Sequence, residues 1–234
     1  MIAHIYLIKA LTNLHAGSGD SGYGAVDKMI QLDPATRHPT IFGQSLKGAL
    51  REYFSGQDGH SDNGENFVVP VFGSPVKRDK GKDPEQGLFT FLSADLLAVP
   101  VPDIDPASPK AFYLQGSNGQ LGRFIDKAKA LQCKADKETL KQKLGCDSWD
   151  DGKFKAATQD IPVLARNYLN NGISENLWYE QYLPHQSVFG AIIFSSSGGH
   201  WDTFDEHVDG KVIQLGANAT VGYGYCQFEK IAKP

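Results

Sequence analysis

Between Leu14 and Gly24 the chain reads Leu-His-Ala-Gly-Ser-Gly-Asp-Ser-Gly-Tyr-Gly, with glycines spaced too closely for the interior of an ordinary helix or strand. Glycine loses the most backbone freedom on folding, but it reaches positive φ and lets a ligand come close to the main chain. The stretch is therefore expected to be a loop that carries function. A second run, Gly216-Ala217-Asn218-Ala219-Thr220-Val221-Gly222-Tyr223-Gly224, lies near the other end of the chain. Strands are expected beside both: Ile2 to Ala10 before the first run and Tyr225 to Ile231 after the second, each rich in β-formers.

Between these ends the periodicity changes several times. Leu46, Ala49, Leu50, Tyr53 and Phe54 recur with helical spacing and predict a helix over Ser45 to Phe54, with Lys47 and Arg51 sharing another face. Phe89 to Val101 reads as one long strand ended by Pro100 and Pro102. Phe124 to Leu144 is helical and lysine-rich. Ala165 to Leu183 holds two β-forming stretches around Asn170-Asn171-Gly172, a strong hairpin signal. Ser187 to Ser196 is an apolar strand, Trp201 to Asp209 a short acidic helix, and Val212 to Leu215 a brief strand. Strands and helices interleave, which suits an α+β fold of ferredoxin type: an antiparallel sheet covered by helices on one face.

The chain has 234 residues, 41% of them hydrophobic, enough for a real core. One domain with insertions is the simplest organisation at this length. Acidic residues outnumber basic ones, 27 to 23, which argues against an indiscriminate nucleic-acid binder. Cys133, Cys146 and Cys226 form no CxxC pair and fit neither a disulfide framework nor a zinc site. The first ten residues lack the basic start and small-residue cleavage site of a signal peptide, and no apolar run approaches the ~20 residues of a membrane span. A cytoplasmic chain away from membranes is therefore the expectation.

Gly17-Ser18-Gly19-Asp20-Ser21-Gly22 matches GxGxxG formally, but a dinucleotide site needs a helix opening at the last glycine, and none follows. Walker A, HExxH and GxSxG patterns are missing, which removes common nucleotidase, zinc-protease and hydrolase chemistries. Two glycine runs, a helix with basic side chains and the carboxylate of Asp27 remain. Glycine-run amides and a helix N-terminus are parts of a phosphate cradle. Tyr23, Tyr168, Trp178, Tyr179, Tyr223 and Tyr225 are candidates for stacking on bases, although most aromatic residues in any domain are core.

The residues Leu14 to Gly19, Val26-Asp27 and Ile41-Phe42-Gly43-Gln44-Ser45-Leu46-Lys47-Gly48-Ala49-Leu50-Arg51 resemble the RAMP superfamily of CRISPR-associated proteins, and within it the repeated backbone subunit of type III effector complexes. Phe72-Gly73, Ser93-Ala94-Asp95-Leu96-Leu97, Glu180 to Pro184 and Gly216 to Gly224 extend the match over almost the whole chain. Leu96 to Val101 and Trp178 to Pro184 are most similar to the fourth subunit of the type III-B (Cmr) branch.

That resemblance implies a single ferredoxin-like (RRM) domain over residues 1–234, with insertions at about 55–87 (a loop or lid), 102–160 (helical) and 165–183 (a β-hairpin thumb). It implies copies stacked along a CRISPR RNA with the other subunits of the complex, and cleavage of guide-paired target RNA with a divalent metal, Mg or Mn. Asp27 matches the catalytic, metal-holding aspartate. An aspartate is ordinarily ionised at neutral pH, so it suits holding a metal or orienting a 2′-hydroxyl rather than donating a proton. His15, Gly17, Ser18, Gly19, Ser45, Lys47, Arg51, Arg166, Asn218, Gly222 and Gly224 are the expected RNA contacts. Asn167, Tyr168, Trp178, Tyr179 and Glu180 belong to the thumb, which would distort the paired RNA for in-line attack. This sequence departs from the family where Phe42, Gln44, Met29 and Leu32 stand, and Leu32 replaces an arginine that would meet phosphate. A guide-binding subunit without cleavage and a glycine- and tyrosine-rich sugar-binding β protein are the competing readings. The acidic groups Asp147, Asp150 and Asp151, and Asp202, Asp205, Glu206 and Asp209, are expected to be free to meet neighbouring subunits.

Overall fold

The computed structural model describes residues 1–21, 25–56, 67–74 and 85–232. Gly22, Tyr23 and Gly24 lie outside the described residues, and so does most of the expected lid, at 57–66 and 75–84. In chain order the elements are β1 (Ile2–Ala10), β2 (Gly17–Ser21), β3 (Lys28–Ile30), β4 (Thr40–Ile41), α1 (Gly43–Ser55), α2 (Val68–Phe72), β5 (Phe89–Phe91), β6 (Ala94–Pro102), β7 (Phe112–Gly116), α3 (Asn118–Ala130), α4 (Lys137–Leu144), β8 (Ser148–Trp149), α5 (Asp151–Gln159), β9 (Val163–Asn170), β10 (Ile173–Gln181), β11 (Val188–Ser195), α6 (Trp201–Val208), β12 (Val212–Gln214) and β13 (Tyr225–Ala232).

The main sheet runs β12-β13-β1-β11-β6-β7-β8. Its central strands β13, β1, β11 and β6, with α1 and α6 on the two crossovers, have the order and connections of a ferredoxin-like core. β1 is antiparallel to both neighbours, pairing Ile5 with Ile192 on one side and Leu7 with Glu229 on the other. A second sheet, β2-β3-β10-β9, carries the hairpin.

β1 alternates perfectly. Tyr6, Ile8 and Ala10 face one core together with Leu46, Leu50 and Phe54 of α1 and Trp201, Phe204 and Val208 of α6. Ala3, Ile5 and Leu7 face a second core with Leu121, Phe124 and Ile125 of α3 and Leu140 and Leu144 of α4. The expectation of helices on one face only is thus corrected. The ferredoxin helices cover one side, and helices of the 102–160 insertion close the other, so both faces leave water.

Three local expectations also change. Gly17 to Ser21 is a strand, not a loop, although its pairing with β3 is irregular between Gly17↔Ile30 and Ser21↔Lys28. Phe89 to Val101 breaks at Leu92-Ser93 into two strands, which pair with separate parts of β11. Pro100 lies inside β6, and Pro102 is its last residue. β11 pairs only as far as Ala98, so beyond it β6 has β7 as its partner and the missing N–H groups need serve no second strand. The hairpin occupies Val163 to Gln181, two residues upstream of the span expected from its sequence.

Helix α1 begins where the main chain crowds β5. A Cβ on Gly43 would stand 2.2 Å from the Phe91 carbonyl oxygen, so only glycine fits. This contact fixes the helix start beside Ser45, at the edge of the site.

Candidate nucleic-acid interface

Because β1 and β13 are neighbours, the glycine runs that follow one and precede the other meet in space. The Ala217 N–H donates to the His15 carbonyl at 2.9 Å, and the Gly224 N–H to the Asn13 carbonyl at 2.8 Å. Gly216 has φ +75°, and a Cβ there would stand 2.3 Å from the His15 carbonyl oxygen, so the approach of the two runs depends on that glycine.

The junction opens into a cleft of about 610 Å³ lined by His15, Gly17, Gly19, Asp27, Gln31, Ser45 and Gly216, with Ala16, Lys28, Met29 and Ala217 between them. Five expected site residues are therefore brought together: His15, Gly17, Gly19, Asp27 and Ser45. Ser18 sits between two of them. Lys47 and Arg51 follow on α1, half-buried, and neither is ion-paired among the described residues. Gly222 is exposed and Gly224 buried; neither lines the cleft.

Gln31 has no place in the sequence reading, yet it ties the cleft together. It is 4% exposed. Its Nε2 donates to the Gly17 carbonyl at 2.9 Å and to Ser45 Oγ at 2.8 Å, while its Oε1 accepts from the Phe42 N–H at 2.6 Å. One buried amide thus joins the glycine strand to the start of α1. No local motif announces it, because all three partners are set by tertiary contact.

Asp27 stands at the cleft mouth, exposed and joined twice to the hairpin. Its N–H donates to the Tyr179 carbonyl at 3.0 Å, and its Oδ2 accepts from the Tyr179 N–H at 2.8 Å. Oδ1 has no hydrogen-bond partner among the described residues. Beside it, Lys28 Nζ lies 5.0 Å from the centre of the Trp178 ring, a cation–π contact that links the next residue to the same strand.

Below the hairpin foot is a polar knot. Glu180, 1% exposed, receives Asn218 Nδ2 from the terminal glycine run and lies 3.4 Å from Arg166 Nε and 3.8 Å from His15 Nδ1. His15 is itself buried, and its Nδ1–H donates to the Gln181 carbonyl at 2.6 Å. That side of the ring serves the hairpin backbone rather than a ligand. Arg166 turns inward as well: its guanidinium covers the Tyr223 ring at 4.7 Å. Arg166 and Asn218, expected as RNA contacts, thus hold the hairpin to the terminal glycine run. Asn167 and Tyr168, and Tyr179 beside Asp27, are exposed.

Among the described residues no three His, Cys, Asp or Glu side chains are grouped to hold a metal. The donors fit an ion shared with a ligand, since Mg²⁺ is commonly held by one or two carboxylates plus phosphate oxygens. They do not form a cage for an ion resident in the chain alone. No helix among the described residues is long and apolar enough to cross a membrane.

An RRM-like palm, two joined glycine runs and a hairpin rooted beside a single aspartate define the class, and comparison with known proteins agrees. The chain matches the RAMP superfamily over residues 7–227. It belongs to that family. A relative from Pyrococcus furiosus, the "CRISPR system Cmr endoribonuclease Cmr4", is 26% identical over 292 aligned positions, covering 96% of this chain and 94% of the relative. In fold, the chain is similar to a subunit of the type III-B Cmr-beta complex in its apo state, with a TM-score of 0.76 at 20% identity over 98% of this chain and 97% of that one. It is likewise similar to oligomeric Cmr4 from Pyrococcus furiosus, with a TM-score of 0.69 at 18% identity, covering 100% and 99% of the two chains.

Proposed function

We propose that this chain is a backbone subunit of a type III-B CRISPR effector complex in the cytoplasm, that it binds CRISPR RNA in a filament of its own copies with other subunits, and that it cuts guide-paired target RNA with Asp27. The observation that carries this reading is the free Oδ1 of Asp27, held at the mouth of a cleft made by two glycine runs and at the foot of an exposed hairpin. The name of the Pyrococcus furiosus relative, an endoribonuclease, supports it.

The parts divide the work. Main-chain amides of Gly17 to Gly19 and the start of α1 near Ser45 face phosphates, and Lys47 and Arg51 add charge along the helix. RNA bound this way is held through its backbone, without reading sequence. The overall charge of -4 is no obstacle, since charge averages over all faces of the molecule. The hairpin, wedged into paired RNA, takes one nucleotide out of A-form geometry so that its 2′-hydroxyl comes in line with the next phosphorus. Asp27, fixed by both of its bonds to Tyr179, presents Oδ1 to that hydroxyl. Asp27 would be the residue to hold a divalent ion, which would supply charge neutralisation at the scissile phosphate.

The test is Asp27→Asn in the assembled complex. Loss of a positioned group of this kind costs about 10²- to 10⁴-fold in rate, so target cleavage should fall at least about 100-fold while guide and target stay bound by gel shift. Cleavage at the parental rate with this variant would overturn the catalytic assignment. A purified chain with a protein-only absorbance ratio that never retains RNA, alone or with partners, would overturn the binding assignment as well.

A further inference from the structure

At the opposite end of β1 from the glycine runs, a cleft of about 710 Å³ is lined by Ile2, His4, Gly198 and Lys230 of the sheet side and by Trp201, Asp202, Asp205, Glu206 and Asp209 of the α6 side. β1 is nine residues long, which at ~3.3 Å per residue separates the two sites by roughly 26 Å. Nothing in the RNA reading uses this cleft.

The acidic residues are spaced i, i+3, i+4 and i+7, with Asp202, Asp205 and Glu206 on α6 and Asp209 just past its last turn. They are not equivalent. Asp205 is occupied: Tyr6 and Lys230 donate to it, and His4 Nδ1 lies 3.1 Å away. Asp209 accepts the Lys230 N–H at 2.8 Å. Asp202 and Glu206 are exposed and have no ion-pair partner among the described residues.

The cleft also contains unused hydrogen-bonding capacity. His4 is 2% exposed and Trp201 4% exposed, with ring centres 3.9 Å apart. His4 Nε2 and Trp201 Nε1 are both buried without a hydrogen-bond partner. A carboxylate can only accept, so His4 Nδ1 carries a proton toward Asp205. The indole N–H is a donor. The cleft therefore offers two free carboxylates to a cation, together with one donor that a cation cannot satisfy.

We propose that this cleft docks a lysine or arginine residue of a neighbouring protein subunit, whose side chain meets Asp202 and Glu206 and whose main-chain carbonyl accepts from Trp201 Nε1. The carbonyl is what favours a peptide: a free polyamine carries donors alone and would leave the indole N–H unmatched. The proposal rests on the reading of this chain as a subunit of a complex.

The full-length ¹⁵N-labelled chain, titrated with N-acetylarginine amide, should show a displaced Trp201 indole N–H signal, assigned by its loss in Trp201→Phe. N-acetylnorleucine amide should leave it in place, and Asp202→Asn with Glu206→Gln should weaken the response at least fivefold. In the assembled complex, Asp202→Lys with Glu206→Lys should lower the occupancy of one protein neighbour by native mass spectrometry while RNA content is kept. An unmoved indole signal with N-acetylarginine amide, an equal shift with spermidine, or full subunit occupancy in the charge-reversed complex would each overturn the docking site. Cleavage by the same complexes is followed in parallel: a complex that keeps every subunit and cuts RNA refutes the docking site alone, whereas a parental complex without RNA refutes the functional reading.

Discussion

Strand β11 and the β9–β10 hairpin both carry apolar side chains, and these end in opposite environments. In β11 only Phe194 escapes full burial. In the hairpin the one buried residue is Glu180, a carboxylate. Leu169, Ile173 and Leu177 stand 57%, 70% and 54% exposed, values that would be costly if the hairpin had to stabilise itself. A two-stranded ribbon has no second layer to bury them and is marginal alone. The comparison teaches that the palm supplies stability and the hairpin supplies contact, and that the two communicate through the polar bonds at the hairpin foot.

The largest effect that would break this division lies in the palm. Phe204→Ala empties a ring packed against Tyr6, Phe54, Phe89 and Trp201. It should cost about 3–5 kcal/mol and lower the melting temperature by roughly 6–20 °C in calorimetry. A smaller change would mean that the core relaxes around the loss. Glu180→Ala comes next. It strips Asn218 and Arg166 of their carboxylate and should cost about 1.5–3 kcal/mol, seen chiefly as faster amide exchange across Val163 to Gln181 and Asn218 rather than as global melting. Uniform loss of protection over β1 and β11 would show that the knot stabilises the palm instead.

A subtler effect concerns acid. Burial pushes the Asp205 carboxyl up, but hydrogen bonds from His4, Lys230 and Tyr6 outweigh it and hold the group below the usual carboxylate range. The same environment, burial first and then the Asp205 bond, pushes the Tyr6 phenol well above its ordinary value. A carboxyl that binds its proton less readily when folded stabilises the protein fully above the unfolded value of about 3.9, and that stability is lost as pH falls below it through the folded value. Melting temperature should therefore drop below about pH 4, and Asp205→Asn should flatten that drop. Smallest of all, Leu169→Ser with Ile173→Ser at the hairpin tip should leave stability within about 0.5 kcal/mol. A larger loss on chemical denaturation would mean that the tip packs on the palm in solution.

Much of the palm was legible from local pattern. Ile2 to Ala10 alternates as a two-faced strand should, and Leu46, Leu50 and Phe54 mark the buried side of α1. Asn171-Gly172 announced the hairpin turn, and both residues take positive φ, 50° and 82°, as such a turn requires. The glycine run misled because strand character in Gly17 to Ser21 comes from β3 beside it, not from its own propensity. The break at Leu92-Ser93 was invisible for a similar reason, since the bend serves pairing with two parts of β11. At the site, the proximity of Asp27, the glycine runs and Ser45 followed from family likeness. Gln31, the inward turn of Arg166 and the burial of His15 did not, because each depends on a partner between 14 and 166 residues away.

The sequence by itself determined the strands and helices whose periodicity is strong, the turn of the hairpin, the helical character of the 102–160 insertion and the family, because these rest on residues close together in the chain. Tertiary structure alone decided that the insertion helices close the second face of the sheet, that the two glycine runs share one cleft, and that of four acids on and just after α6 two are bonded into the palm and two remain free. Those outcomes depend on which strands become neighbours. Neighbours in a sheet are chosen by the burial of whole faces, a quantity that no short stretch of sequence contains.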